Sequence, residues 1–296
     1  MNGRQEQEIG PQYSQDNAFK AAARLHQSQY RARVLNVDFN QYGNRLTDGD
    51  ARRLLNYYDG LNVRESLRSR YPVYSKERDG DMLRSEHIPF NMFAPFRSDF
   101  ELARQCFRRA FALDIQKVLR IEFEYPPEPK EKYLNDNTAF DTYVEYWNER
   151  HEKAGIGIEV KYSETAYTMG KTEGRRVQDP ESRYWRVTKA AGIFRDDREK
   201  EVLLPTDSMR QIWRNHLLGL AMLQTEDIKE FTSIIVHPQG NPHFLKVLPE
   251  YQAILLPSSR HSVQGVTYET FIDAIDGKGE ILQWQAFLKA RYLVRE

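Results

Sequence analysis

The sequence of 296 residues contains a single cysteine, Cys106. One thiol excludes an intrachain disulfide and any cysteine-rich zinc site. Apolar neighbours surround Cys106 on a predicted helix face. A buried core thiol is therefore favoured over a nucleophile.

Long apolar runs are also missing. No stretch approaches the roughly 20 residues that cross a bilayer. The first residues, Met-Asn-Gly-Arg-Gln-Glu-Gln-Glu, contain no apolar signal core. The sequence therefore predicts a cytoplasmic protein with no membrane partner.

An excess of charge of either sign is absent as well, because 43 Lys and Arg balance 43 Asp and Glu. Proteins that coat nucleic acid non-specifically usually carry a clear basic excess. The composition therefore argues against a simple coating protein. It still allows an enzyme whose basic groups are confined to one cleft while its acids hold a metal ion.

Strand-forming sequence fills the middle of the chain. Apolar and polar side chains alternate with a period of two in residues 118–125, 138–147 and 155–164, which predicts three consecutive strands. Residues 231–237 predict a further strand, and residues 266–275 predict one more.

Helices are predicted on both sides of these strands. Ser98 and Glu101 form a capping box at the start of a helix over residues 98–112. A strong amphipathic helix is predicted to begin at Thr206, and residues 165–200 are predicted as a long, irregular surface segment. A further helix is predicted at the end of the chain.

This order of elements predicts an α/β (α+β) fold with a central mixed β-sheet flanked by helices. We expect residues 1–80 to form an N-terminal helical region that packs on a core of residues 81–296.

One predicted strand combines an acid with an amine. Glu159 and Lys161 lie on the same polar face of the strand, roughly 7 Å apart. The chain contains four acid-x-Lys triplets, so the triplet alone carries little information. The other three fall in loops or connections: Glu128/Lys130, Asp227/Lys229 and Asp276/Lys278. Only Glu159 and Lys161 lie on an alternating strand with glycines beside the acid, and Asp141 lies on the strand before it.

Asp141, followed after 17 intervening residues by Glu159-Val160-Lys161, resembles the motif of the PD-(D/E)XK (restriction-endonuclease-like) superfamily. Two further segments resemble a bacterial restriction endonuclease family with this architecture. They are Ser85-Glu86-His87-Ile88-Pro89-Phe90-Asn91 and Gln211-Ile212-Trp213-Arg214-Asn215-His216. Phe140 stands where a proline usually precedes the first acid of the motif.

The resemblance implies a nuclease that hydrolyses DNA with Mg²⁺ (or Mn²⁺) as its cofactor, in restriction or phage defence. These hard cations prefer carboxylate and carbonyl oxygens. By resemblance, Asp141, Glu159 and the Val160 carbonyl would be ligands, and Glu86 would be an additional acidic ligand. Lys161 would orient the attacking water or stabilise charge on the phosphate.

For several other candidate residues, both a functional and a structural interpretation remain open. By resemblance, Gln211 and Arg214 would lie near the phosphate, although Gln211 also fits an ordinary surface position on a helix. His87 is either a site residue or a packed loop histidine, and Glu86 could simply cap the structure that follows it. His216 lies on the apolar stripe of its helix, which favours a core histidine.

Two other functions remain compatible with the sequence. One is a catalytically inactive nucleic-acid-binding or assembly protein on the same fold, and the other is an RNA-processing nuclease. Many nucleases of this kind dimerise to cut both strands, so a homodimer is also open.

Overall fold

The computed structural model describes residues 8–166 and 169–294. At its centre is a five-stranded mixed sheet, whose strands are β3 (Ile115–Tyr125), β4 (Phe140–Asn148), β5 (Lys153–Val160), β6 (Glu230–His237) and β7 (Val263–Thr267). They lie in chain order across the sheet. β3, β4 and β5 are antiparallel neighbours, whereas β6 and β7 add in parallel. The predicted mixed sheet is confirmed.

Helices flank this sheet and also form most of the N-terminal part. The first seven are α1 (Ala18–Tyr30), α2 (Asp48–Arg52), α3 (Val63–Arg70), α4 (Lys76–Gly80), α5 (Ile88–Phe93), α6 (Phe100–Phe111) and α7 (Lys171–Gln178). The others are α8 (Arg183–Ala191), α9 (Arg198–Leu203), α10 (Arg210–Gln224), α11 (Pro242–Ala253), α12 (Tyr268–Asp273) and α13 (Glu280–Tyr292). A small ribbon of β1 (Phe39–Asn40) and β2 (Tyr42–Leu46) lies outside the main sheet.

Apolar residues are buried on both faces of the sheet. On one face, Ile156 and Ile158 belong to a core that includes Trp284 of α13. On the other face, Tyr143 and Phe231 belong to a core that includes the α10 tryptophan. β5 is buried along its whole length after Lys153, as expected for a central strand covered on both sides.

Two glycines let α10 lie close to the strands. A Cβ atom on Gly219 of α10 would stand 2.0 Å from the ring of Phe231, and one on Gly157 of β5 would stand 2.4 Å from the ring of Phe140. Both positions therefore need glycine for close packing. This contact brings the first turns of α10 beside the carboxyl end of β5.

The N-terminal helices share the core of the first face with the rest of the chain. Ala23, Tyr57 and Leu67 belong to the same buried cluster as Ile156 of β5. Of the predicted N-terminal region, residues 1–7 lie outside the described part of the chain. No helix among the described residues is long and apolar enough to cross a membrane.

The local predictions were wrong at three places. Asp99, rather than Ser98, caps α6 by accepting a hydrogen bond from the Leu102 N–H. The strand predicted over residues 266–275 ends at Thr267, whose hydroxyl accepts from the Thr270 N–H and so starts α12.

The third wrong prediction is the irregular segment over residues 165–200. Apart from residues 167–168, which lie outside the described part, this segment contains α7, α8 and the first half of α9. Tyr184 and Val187 of α8 are buried against α10. No element is predicted from the sequence at α11.

Candidate active site

Three carboxylates form a row across neighbouring strands. The strand pairing of the neighbouring residues places Glu124 of β3 beside Asp141 of β4. It likewise places Asp141 beside Glu159 of β5. Directly opposed residues in an antiparallel pair point to the same face of the sheet, with Cβ atoms about 5 Å apart. Asp141 and Glu159, which the sequence paired, are therefore neighbours in the fold.

Glu159 is held by three donors. The Lys161 ammonium lies 2.6 Å from Glu159 Oε1. Gln211 also donates to Oε1, and Asn215 donates to Oε2. Gln211 and Asn215 are four residues apart on α10, so both face the strand end. The Glu159 carboxylate is thereby fixed in one orientation, and the residue is only 6% exposed.

Asp141 is fixed by the backbone of the next strand. Its Oδ2 accepts a hydrogen bond from the Val160 N–H at 2.7 Å. Burial, followed by the negative charge of Glu159, raises the pKa of Asp141 well above its usual range. Lys161 opposes this effect but does not cancel it. The site thus holds more negative charge than its one lysine neutralises.

Lys161 carries a firmly held proton. Burial alone would lower the pKa of the Lys161 ammonium, but the charges of Glu159, Asp141 and Glu164 outweigh burial and raise it. The carboxylate of Glu164 also accepts from the N–H groups of Tyr162 and Ser85, at 3.0 and 2.8 Å. The segment around Ser85 is therefore tied to the end of β5, beside Lys161.

Glu124 is a further candidate site residue, which the sequence analysis does not identify. It has a left-handed backbone with φ of 48°, which is uncommon for a residue with a side chain. Burial and the charge of Glu159 raise the pKa of Glu124, and a hydrogen bond from Tyr71 opposes the shift. Its place beside Asp141 follows from strand register, which the sequence does not specify. The only available signal was its polar position in the alternating strand.

Glu86 and His87 do not belong to the row of three carboxylates. Glu86 is exposed and accepts from Arg84 at 2.7 Å, although its charge also raises the pKa of Glu124. His87 is fully buried between the rings of Tyr57 and Tyr292. Its environment corresponds to the packed-histidine interpretation.

Gln211 and Arg214 of α10, which the resemblance placed near the phosphate, have different surroundings. Gln211 contacts Glu159 directly. The Arg214 guanidinium lies 2.8 Å from Glu173 of α7 and donates to Thr138. Arg214 thus joins α7 to α10. His216 is buried, with its ring nitrogens near the hydroxyls of Tyr251 and Ser262, as expected for a core histidine.

The donor chemistry of the row fits a hard divalent cation. Asp141 and Glu159 offer carboxylate oxygens, which Mg²⁺ and Mn²⁺ prefer. The repulsion that raises the pKa of Asp141 is the kind that a cation would relieve. In the described ranges, no three Asp, Glu, His or Cys side chains are grouped to hold an ion together. A site here would combine two carboxylates with backbone or solvent oxygens.

An acid on β4, an acid-x-Lys triplet that begins on the adjacent β5 and ends just after it, and amides from α10 define a site of the PD-(D/E)XK nuclease class. The family model described as the PD-(D/E)XK nuclease superfamily matches residues 14–294. The chain therefore belongs to the PD-(D/E)XK nuclease superfamily. No curated protein and no solved structure gives a significant match.

Proposed function

We propose that the protein is a nuclease that hydrolyses DNA phosphodiester bonds with Mg²⁺ or Mn²⁺. The observation that carries this proposal is the Glu159 carboxylate, which Lys161, Gln211 and Asn215 hold beside Asp141. A buried acid whose pKa is raised by burial and by a neighbouring carboxylate, as that of Asp141 is, is typical of functional sites. The restriction or phage-defence role rests on the sequence resemblance.

Asp141 and Glu159 are the residues that would hold the cation, with the Val160 carbonyl added by the family resemblance. When bound, a divalent ion polarises a phosphate and lowers the pKa of a water molecule. The Val160 N–H and the two α10 amides keep the carboxylates in place without the ion. Such preorganisation reduces the rearrangement needed during reaction.

Lys161 is a positively charged group of the protein itself, in addition to any bound cation. Its pKa is raised, so it is protonated at neutral pH and can donate to a phosphate oxygen or hold the attacking water. An ammonium placed where negative charge develops stabilises the transition state more in a buried site than in water. We assign this role to Lys161.

The test compares cleavage of linear, nicked and single-stranded DNA and of RNA with Mg²⁺, Mn²⁺ or EDTA. We expect Glu159→Ala and Lys161→Ala to lose activity by about 10²–10³-fold. A matched control is Asp276→Ala with Lys278→Ala, which removes the same acid-x-Lys triplet from an exposed loop. Equal cleavage by wild type and both site variants would overturn the proposal. Preferential cleavage of RNA would show that RNA, rather than DNA, is the substrate.

A second candidate function is binding without catalysis. Both oxygens of Glu159 already accept hydrogen bonds from α10, and these bonds favour a structural use of the acid. Calorimetric titration with Mn²⁺ separates the two functions. Heat of binding that disappears in Asp141→Ala supports the nuclease, whereas no binding by wild type favours the non-catalytic protein.

A further inference from the structure

A second polar pocket lies outside the candidate active site, between α7, the start of α8 and the turn that contains Asn135. Its volume is about 400 Å³. Four arginines line it: Arg175, Arg176, Arg183 and Arg186. Two acids, Glu131 and Asp179, also line it, so positive charge predominates.

The surrounding segment is basic although the whole chain is neutral. Residues 169–192 contain six Lys and Arg against three Asp and Glu, a net charge of +3. The rest of the chain therefore carries −3, given the overall balance. A local excess of positive charge around a pocket is the pattern expected of a site for an anionic ligand.

The pocket arginines are bound mainly by neutral groups. Arg186 donates to the Glu181 carbonyl at 2.8 Å, and Arg176 donates to the Asn135 carbonyl at 3.1 Å. Arg183 donates to the carbonyls of Tyr133 and Lys132. Backbone carbonyls orient a guanidinium without neutralising it.

Arg175 and Arg176 differ in the acids near them. Within the described part of the chain, the exposed Arg175 side chain makes no hydrogen bond or ion pair. Arg176 lies 3.7 Å from Asp136, which also accepts from Tyr184. Most of the pocket's positive charge thus remains available to a ligand.

The surroundings of Ser182 provide an independent observation at the same pocket. It occupies the N-cap of the nine-residue α8 but makes no side-chain capping bond. Ser182 lines the pocket and is only 8% exposed, and its hydroxyl has no hydrogen-bond partner among the described residues. Buried hydroxyls normally have a partner. The start of a helix also offers N–H groups that bind phosphate well.

We propose that this pocket binds a backbone phosphate of the nucleic acid, away from the bond that is cut. The assignment of the ligand to nucleic acid rests on the proposed function. α7 is joined to α10 through Glu173, which pairs with Arg210 and Arg214. The pocket is therefore fixed to the helix that holds Glu159. It anchors the strand while Lys161 and the carboxylates act on another phosphate.

The test measures binding of a fluorescein-labelled DNA duplex by anisotropy, in EDTA and at several salt concentrations. Arg175→Ala with Arg186→Ala should raise the Kd about tenfold. It should also reduce the slope of log Kd against log salt by about 1–2, since each lost phosphate contact removes about 0.9. Ser182→Ala should raise the Kd severalfold without changing the slope, because no charge is removed.

The control replaces two arginines elsewhere, Arg53→Ala with Arg150→Ala, whose side chains are 67% and 68% exposed. This variant should bind within about twofold of wild type, as expected for the loss of scattered surface charge. Unchanged Kd and slope in the pocket variants would overturn the inference. Equally tight binding of a mononucleotide would assign the pocket to a small phosphate ligand and overturn the backbone assignment.

The two proposals fail separately. Binding is measured without metal, so a protein that binds DNA through the pocket but never cuts it contradicts the proposed function alone. A protein that cuts DNA but binds it independently of the pocket contradicts the pocket assignment alone.

Discussion

The charge on Asp141 opposes folding. Burial and the neighbouring Glu159 raise the pKa of Asp141 in the folded chain above its unfolded value. A carboxyl of this kind contributes stability while it is protonated, and that contribution is lost as the pH rises through the folded pKa. The metal-free protein therefore loses stability above about pH 4, where an unfolded aspartate ionises. A buried acid that lowers stability in this way is typical of a functional site.

Asp141→Asn should stabilise the metal-free protein at neutral pH. The amide oxygen still accepts from the Val160 N–H, but the repulsion with Glu159 disappears. We expect a gain of about 1 kcal/mol in free energy of unfolding, or roughly 2–4 °C in Tm. Urea unfolding in EDTA at several pH values measures it. The gain should shrink towards pH 4, and a loss of stability at pH 7 would contradict the assigned environment.

Gln211→Ala tests the support of Glu159. Removal of one amide donor leaves the Glu159 carboxylate held only by Lys161 and Asn215 and therefore less firmly oriented, so we expect a fall in kcat of about tenfold with little change in KM. Steady-state cleavage assays measure both constants. Gln224→Ala, which removes the glutamine at the other end of α10, is the control and should retain full activity.

At the residue scale, the sequence predicts the relative position of two side chains where the order of residues along a single strand determines it. The alternation of β5 put Glu159 and Lys161 on one face, and the fold pairs them. Glu124 was missed because its place beside Asp141 depends on register across a long connection. The position of Arg214 near the phosphate stays a prediction. Its guanidinium pairs with Glu173, which belongs to a segment predicted to be irregular.

At the scale of elements, the contact between α10 and β6 sets the position of the amides. Gly219→Ala would place a methyl group 2.0 Å from the Phe231 ring and push the helix away. We expect a loss of about 1–3 kcal/mol in free energy of unfolding, together with lower activity, because Gln211 and Asn215 move with the helix. Urea unfolding and cleavage assays measure the two effects.

Gly174→Ala is the matched substitution in α7. There the new Cβ would make only ordinary contacts, the nearest at 3.6 Å from Met169. Alanine favours a helix over glycine by about 1 kcal/mol, so this variant should be more stable than wild type. If both glycine variants were equally stable, close packing at Gly219 would be refuted.

The main strands were predictable because their alternating pattern is strong, whereas several helices were not. α7, α8 and α9 are rich in charge, which resembles a surface loop until tertiary packing shows that Tyr184 and Val187 are buried. α11 contains Pro249 within the helix, which is an unfavourable helix signal. Its burial against the sheet outweighs that local preference.

At the scale of the whole molecule, the N-terminal helices complete the main core. Gln27 of α1 donates to the Tyr162 hydroxyl just after β5 and to the Arg291 carbonyl of α13. A variant that lacks residues 1–80 would expose the apolar surface under α1 and α3. We expect it to aggregate or to lack a cooperative thermal transition. The full chain should unfold in one transition, and a cooperatively folded truncated variant would contradict this expectation.

The topology of the sheet also has a kinetic consequence. β4 and β5 are antiparallel neighbours joined by a loop of four residues, whereas α10 and β6 come only after a long segment. Short loops close at lower entropic cost. The acids should therefore meet before the α10 amides can hold Glu159, so that their repulsion is already present in the transition state for folding. Asp141→Asn should then fold faster than wild type while unfolding at nearly the same rate, which stopped-flow chevron analysis can measure.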